Sequence, residues 1–142
     1  MKTIKFSISC KQVILILSVL FLAISLASCS KKTVFNTSSI IPAARGEVKV
    51  KEDKNNNYKI ELQISYLAEP ERLNPPRKTY VVWMKSDDYN AINLGQIVGS
   101  SKLHVKFETV SSSKPKKIFI TAEDDASVQY PSYMIVLETD NL

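Results

Sequence analysis

From Gly46 onward, apolar residues recur at every second position. Val48 and Val50 alternate with Glu47, Lys49 and Lys51; Tyr58, Ile60, Leu62, Ile64 and Tyr66 alternate with Lys59, Glu61, Gln63 and Ser65. Successive side chains of a strand point to opposite faces, so this alternation predicts strands with one buried and one wet face, as in antiparallel sheets. The polar run Glu52–Asn57 between them predicts a hairpin turn. Thr79–Lys85 (TYVVWMK) is apolar in both phases, the pattern of a strand covered on both sides. The same alternation puts Tyr66 and Trp83 in the core. Ala91–Val98, interrupted by Gly95, predicts a weaker strand. Leu103, Val105 and Phe107 alternate with His104, Lys106 and Glu108, and Ile118–Ile120 and Met134–Leu137 predict two short apolar strands. Leu67–Lys78 holds Pro70, Pro75 and Pro76, too many for a central strand, and reads as a crossing between two sheets. Seven short strands with turns between them and no helical period predict an all-β fold, an immunoglobulin-like antiparallel β-sandwich.

Upstream of residue 46 the pattern differs in kind. Met1 to Lys11 carries three lysines and no acid, and Val13 to Ala27 follows as fifteen uncharged residues. A spanning helix needs about 20 apolar residues, so the run has the length of the apolar region of a secretory signal. It closes on Leu26-Ala27-Ser28-Cys29, two small residues before a cysteine, and Ser30-Lys31-Lys32 ends the apolar stretch. Together these features resemble the type II signal peptide of bacterial lipoproteins. The resemblance implies cleavage between Ser28 and Cys29, a diacylglycerol thioether on Cys29 and acylation of the new amino terminus. Several acyl chains give a durable membrane anchor, whereas one alone binds marginally. Ser30, where an Asp would mark inner-membrane retention, implies an outer-membrane lipoprotein of the cell envelope. Ser30–Arg45, with Asn36, Thr37, Ser38, Ser39 and Pro42, has no period and reads as a flexible tether. The expected organisation is a signal over 1–28, lipidated cysteine and tether over 29–45, and the sandwich over 46–142.

That organisation changes the meaning of the composition. The 142 residues carry a formal charge of +5, but Lys2, Lys5 and Lys11 lie in the signal, and residues 29–142 hold sixteen basic against fourteen acidic side chains. A nucleic-acid partner, which calls for a clustered basic face, is not indicated. Of the two cysteines, Cys10 lies in the signal and Cys29 takes the lipid, so no disulfide staples the mature chain. Stability must come from core burial, which about 100 residues can supply.

A second resemblance lies in the domain. Leu67-Ala68-Glu69-Pro70-Glu71-Arg72-Leu73, then Tyr80-Val81-Val82-Trp83, Asn93-Leu94-Gly95, Ile120-Thr121-Ala122-Glu123 and Pro131 before a last apolar strand are similar to the extracytoplasmic C-terminal domain of anti-sigma-K factors. The resemblance covers most of residues 46–139 and implies a β-sandwich. Signalling members also carry a cytoplasmic sigma-binding domain and a spanning helix, neither of which residues before Cys29 provide. Trp83 on the third strand echoes the core tryptophan of immunoglobulin-like domains, without the disulfide that it usually covers.

Residues able to carry chemistry are few. His104, the one histidine, falls in the solvent phase with Lys106 and Glu108. Glu123-Asp124-Asp125 and Asp87-Asp88 are the densest acidic groups; without EF-hand spacing or a turning glycine they read as solvated turns. One histidine and an acylated cysteine do not make a zinc site, and Gly95 and Gly99 form no phosphate loop. No catalytic residue, metal or cofactor is assigned. Tyr89, Tyr130 and Tyr133, in turn segments, are the candidate contact residues. The expected function is a non-enzymatic envelope lipoprotein, held to the membrane by lipid on Cys29, whose sandwich binds an envelope protein or serves as a structural module. The other readings are an extracytoplasmic sensory domain related to anti-sigma factors and a calcium- or glycan-binding module.

Overall fold

The computed structural model describes Lys11, Val13 and residues 31–87, 90–99 and 103–142. Its strands are β1 (Lys31–Val34), β2 (Arg45–Glu52), β3 (Tyr58–Ser65), β4 (Thr79–Lys85), β5 (Ala91–Ile97), β6 (His104–Ser111), β7 (Lys117–Glu123) and β8 (Ile135–Glu138), with one 3-10 turn at Pro70–Arg72. They form two four-stranded antiparallel sheets, ordered β1-β2-β3-β6 and β5-β4-β7-β8. Val48, Ile60, Leu62, Ile64 and Val105 from the first sheet meet Tyr80, Val82, Met84, Ile118, Ile120 and Leu137 from the second. The chain is an all-β antiparallel β-sandwich, as the period-2 pattern predicts.

The hairpin between β2 and β3 closes as the polar run predicts. Asp53 accepts the backbone N–H of Asn57 at 2.9 Å and of Asn55 at 2.7 Å, and Asn56 takes the left-handed φ of 60° that asparagine tolerates. These bonds, the Asn57 backbone N–H first, hold the Asp53 carboxyl below its ordinary value of 3.8. A depressed folded-state value stabilises the turn above the ordinary carboxylate range, and the contribution is lost as pH falls through the folded value. An NMR titration should therefore show the Asn55 and Asn57 amides shifting together below pH 3.8. A transition at or above the ordinary value would refute it.

The segment expected to be a tether is instead, from residue 31, part of the sandwich, which has eight strands among the described residues. Lys31 pairs with Val50 and Val34 with Glu47. Phe35 then donates its N–H to Gly46 O at 2.9 Å, and Asn36 donates to Glu138 O at 2.8 Å, so the chain steps from the first sheet to the second. Phe35, Ile41 and Ala44 join the core, and the Ser38 hydroxyl accepts the Ile41 N–H at 2.9 Å. The segment lacks periodicity because it plugs the side between β1 and β8 with single anchors rather than lying on one sheet face. The polar tail is also built in: Thr139 is fully buried, and its N–H and hydroxyl both serve Ile118 O.

Strand direction defines two ends. β2 and β3 meet at the 53–57 turn; Lys85 pairs with both Ala91 and Lys117, and Ser111 lies opposite Tyr58. The 53–57 turn and the connections from 85 to 91 and from 111 to 117 therefore share one end. The connections over 66–78, 97–104 and 123–135 occupy the other, since Ser65 pairs with His104, Tyr80 with Ile97 and Thr79 with Glu123. β1 starts at the first end.

Candidate binding surface

β4 and β7 are covered on both faces, as the continuous apolar pattern of Thr79–Lys85 requires, but the second cover is a loop. Val81 and Trp83 from β4 and Phe119 from β7 form a cluster separate from the main core, on the outer face of the second sheet. The Trp83 and Phe119 rings stack with centroids 6.3 Å apart. Val128 of the 124–134 loop packs over them, and Asn93 of β5 donates its side-chain amide to Ala126 O at 3.0 Å and Val128 O at 2.9 Å. Trp83 is thus 0 % exposed yet lies outside the inter-sheet core. The echo of an immunoglobulin core tryptophan fails for a register reason: Tyr80, Val82 and Met84 hold the inward phase of β4.

Beneath the loop runs a buried polar chain. Trp83 Nε1–H donates to Thr121 Oγ1 at 2.7 Å, Thr121 donates to Glu123 Oε1 at 2.5 Å, and the Ser132 N–H donates to the same oxygen at 2.7 Å. Thr121 and Glu123 follow Phe119 at alternate positions of β7 and so share its outer face. Glu123 is 5 % exposed, which corrects its reading as part of a solvated acidic turn. Its neighbours are also occupied separately. Asp124 accepts from Arg77 Nη1 at 2.6 Å, and Asp125 accepts the Ser127 N–H and hydroxyl, each at 2.7 Å. Asp124, and in smaller part the Tyr133 hydroxyl, raise the Arg77 pKa above its ordinary value, and the Ser127 backbone N–H lowers that of Asp125. Three consecutive carboxylates thus point to three different partners rather than one ion. Among the described residues no group of three His, Cys, Asp or Glu side chains gathers to hold a metal.

The loop so fixed presents two of the candidate tyrosines. Tyr130 is 84 % exposed and Tyr133 81 %. Tyr89, the third, lies outside the described residues; the strand ends that flank it, Lys85 and Ala91, belong to the opposite end of the sandwich from the 123–135 connection. Among the described residues the fold brings Tyr130 and Tyr133 together in one loop. Sequence reasoning missed Tyr66. Expected in the core, it is 55 % exposed with φ 58°, because the chain leaves β3 one residue earlier and turns there. Its N–H bonds Leu103 O at 3.0 Å, and its ring lies 6.3 Å from that of His104, so Tyr66, Val98 and Leu103 add exposed apolar surface at the end that bears Tyr133. The only cue in the sequence was the Leu67–Lys78 break that follows.

His104 is exposed, as its phase predicts, and its Nδ1 lies 2.9 Å from Ser65 Oγ. A hydrolytic triad needs a carboxylate on the imidazole nitrogen remote from the serine, and among the described residues none bonds His104. A groove of about 230 Å³ runs between Asn36–Ser39 and Ile135–Glu138, and another of about 380 Å³ is lined by Val34, Arg45–Glu47, Gln63 and Ser65. Neither includes Tyr66, Tyr130 or Tyr133.

Cys29 and Ser28, the lipidation and cleavage residues, lie outside the described residues. Among the described residues no helix is long and apolar enough to cross a membrane. No protein-family model, curated protein or solved structure matches this chain.

Proposed function

We propose that this protein is an envelope lipoprotein, anchored through acyl chains on Cys29, whose β-sandwich is a non-enzymatic module that binds a protein partner through the Tyr130–Tyr133 loop. The observation that carries the reading is the pairing of a rigid base with an exposed tip. Glu123, Thr121, Trp83 and Asn93 hold the loop from beneath by buried or half-buried bonds, while two tyrosines face solvent almost entirely. Tyrosine offers a large amphipathic contact at low rotamer cost, and a loop already ordered spares the entropy of fixing it on binding. The Leu26–Cys29 tetrad supports the membrane attachment.

Two measurements test the parts separately. The Tyr130→Ala/Tyr133→Ala protein should keep wild-type stability within about 0.5 kcal/mol, as exposed substitutions do, and lose the partner that wild-type protein retains from detergent-solubilised envelopes. Equal retention by both proteins removes the loop from the interaction. Cys29→Ala should abolish palmitate labelling and leave an unprocessed or released chain. If it is processed and localised like wild type, the lipoprotein reading fails.

A further inference from the structure

The extra first strand fixes how the domain meets the membrane. Lys31 is already hydrogen-bonded strand, opposite Val50. Between Cys29 and Lys31 there are two peptide links, and at no more than about 3.6 Å per residue they reach roughly 7 Å. That is the distance along β2 from Val50 to Glu52, where the 53–57 turn begins. Chain reach therefore limits Cys29 to roughly 7 Å from Lys31, which itself lies near the end of the 53–57 turn and the 111–117 connection. The opposite end lies a full strand away, roughly 25 Å at about 3.3 Å per residue, and carries Tyr66, Leu103 and Tyr133.

We infer that the sandwich stands on the phospholipid headgroup layer by its 53–57 and 111–117 end, without a free tether, and turns its tyrosine-bearing end away from the bilayer. The inference rests on the lipidation of Cys29 and adds the pose. A sandwich tied by a long linker would tumble and show either end to the lipid; one tied two residues from β1 does not have that freedom. Charge has a minor part. Exposed Lys51, Lys54, Lys85, Lys114 and Lys116 at the near end stand among Glu52, Asp53, Asp87 and Asp140, with Lys116 paired to Asp87. With the signs so nearly balanced, chain reach rather than attraction to anionic lipid sets the orientation. The pose also gives the added strand a purpose. β2 starts at the tyrosine end, so a chain that began with β2 would place its anchor there; β1, antiparallel to β2, carries the anchor to the other end.

The test uses full-length protein, processed and purified in detergent, with one cysteine added at Asn55, Ser112 or Glu71 (N55C, S112C, E71C) and labelled with a fluorophore. Cys29, being acylated, does not react. After mass measurement of the amino terminus, each protein is reconstituted in phosphatidylethanolamine–phosphatidylglycerol vesicles containing a lipid with a nitroxide on its headgroup. Labels at 55 and 112 should lose most of their emission and the label at 71 should keep it. The contrast should persist in 1 M salt, where the screening length falls to about 3 Å. Two near-end positions guard against one variant that fails to fold. Acylated protein quenched equally at 55 and 71, or more at 71, overturns the pose while leaving the lipoprotein reading intact, as does a contrast that salt abolishes. Absence of the acyl mass overturns both.

Discussion

Phe35→Ala is expected to lower the unfolding free energy by about 3–5 kcal/mol, the range for truncating a buried aromatic. Phe35 is 6 % exposed and closes the side of the sandwich where the chain passes from one sheet to the other. The fit is tight: a Cβ built on Gly46 would lie 2.9 Å from Phe35 Cδ2 and 3.0 Å from Gln63 O, so the ring fills the space that a side chain on β2 would need. Truncation leaves a void lined by Gly46 and Ile64, and the backbone bonds from Phe35 to Gly46 and from Asn36 to Glu138 keep the walls from collapsing into it. Urea denaturation of wild type and variant measures the effect. The experiment separates two structures, because the same change in a solvated tether would stay within about 0.5 kcal/mol. A small change would return residues 31–45 to the tether and remove the ground for the proposed pose on the membrane.

Trp83→Ala should cost a similar amount, about 3–5 kcal/mol, with a consequence that Phe35→Ala does not share. Trp83 stacks on Phe119, supports Val128 and donates to Thr121, whose own hydroxyl reaches Glu123. Removing the indole opens the floor under the 124–134 loop and leaves the Thr121 hydroxyl oxygen, which positions Glu123, without its donor in a buried setting, where an unsatisfied polar group costs about 1–3 kcal/mol. The loop should lose hydrogen-exchange protection at Ser132, whose N–H is held by Glu123, and partner retention should fall although Tyr130 and Tyr133 are unchanged. Trp83→Phe separates the causes: it keeps most of the packing, orphans the Thr121 acceptor and should lie between wild type and alanine in both readouts. Unaltered protection at Ser132 in the alanine variant would show that the loop does not depend on this floor.

How much of this was legible along the chain follows from what each signal depends on. The β2–β3 hairpin was legible residue by residue, because it has a wet face and each exposed position is polar; β6 was legible over His104–Glu108, whereas Val110 within it and Leu103 before it are exposed against the pattern. β4 was recognisable as doubly covered, but its neighbour on the outer side was not, since a cover made by a loop and one made by a strand give the same apolar pattern. Trp83 is buried as expected, but what covers it is that loop and not the facing sheet. Tyr66 was misplaced because alternation continues past the residue at which the backbone turns. Glu123 was read as solvated from the company of Asp124 and Asp125, and only the alternation of β7, followed two residues further, marks it as sharing the face of Phe119 and Thr121. Of the contact candidates, turn position alone suggested Tyr130 and Tyr133, and both side chains are exposed.

Local periodicity by itself determined the all-β class, the two layers and most core positions, because in a strand the inward face is decided by parity, a property of neighbouring residues. The Leu26–Cys29 tetrad by itself raised the expectation of lipidation, because a processing signal is read as a linear motif. Tertiary structure alone decided what depends on distant partners: that Lys31–Arg45 belongs to the sandwich through Phe35 and β8, that the cover of Trp83 is the 124–134 loop, and that β1 begins at the end remote from the exposed tyrosines. Those outcomes come from pairing between residues as far apart as Phe35 and Thr139, for which no stretch of the chain carries a local signature.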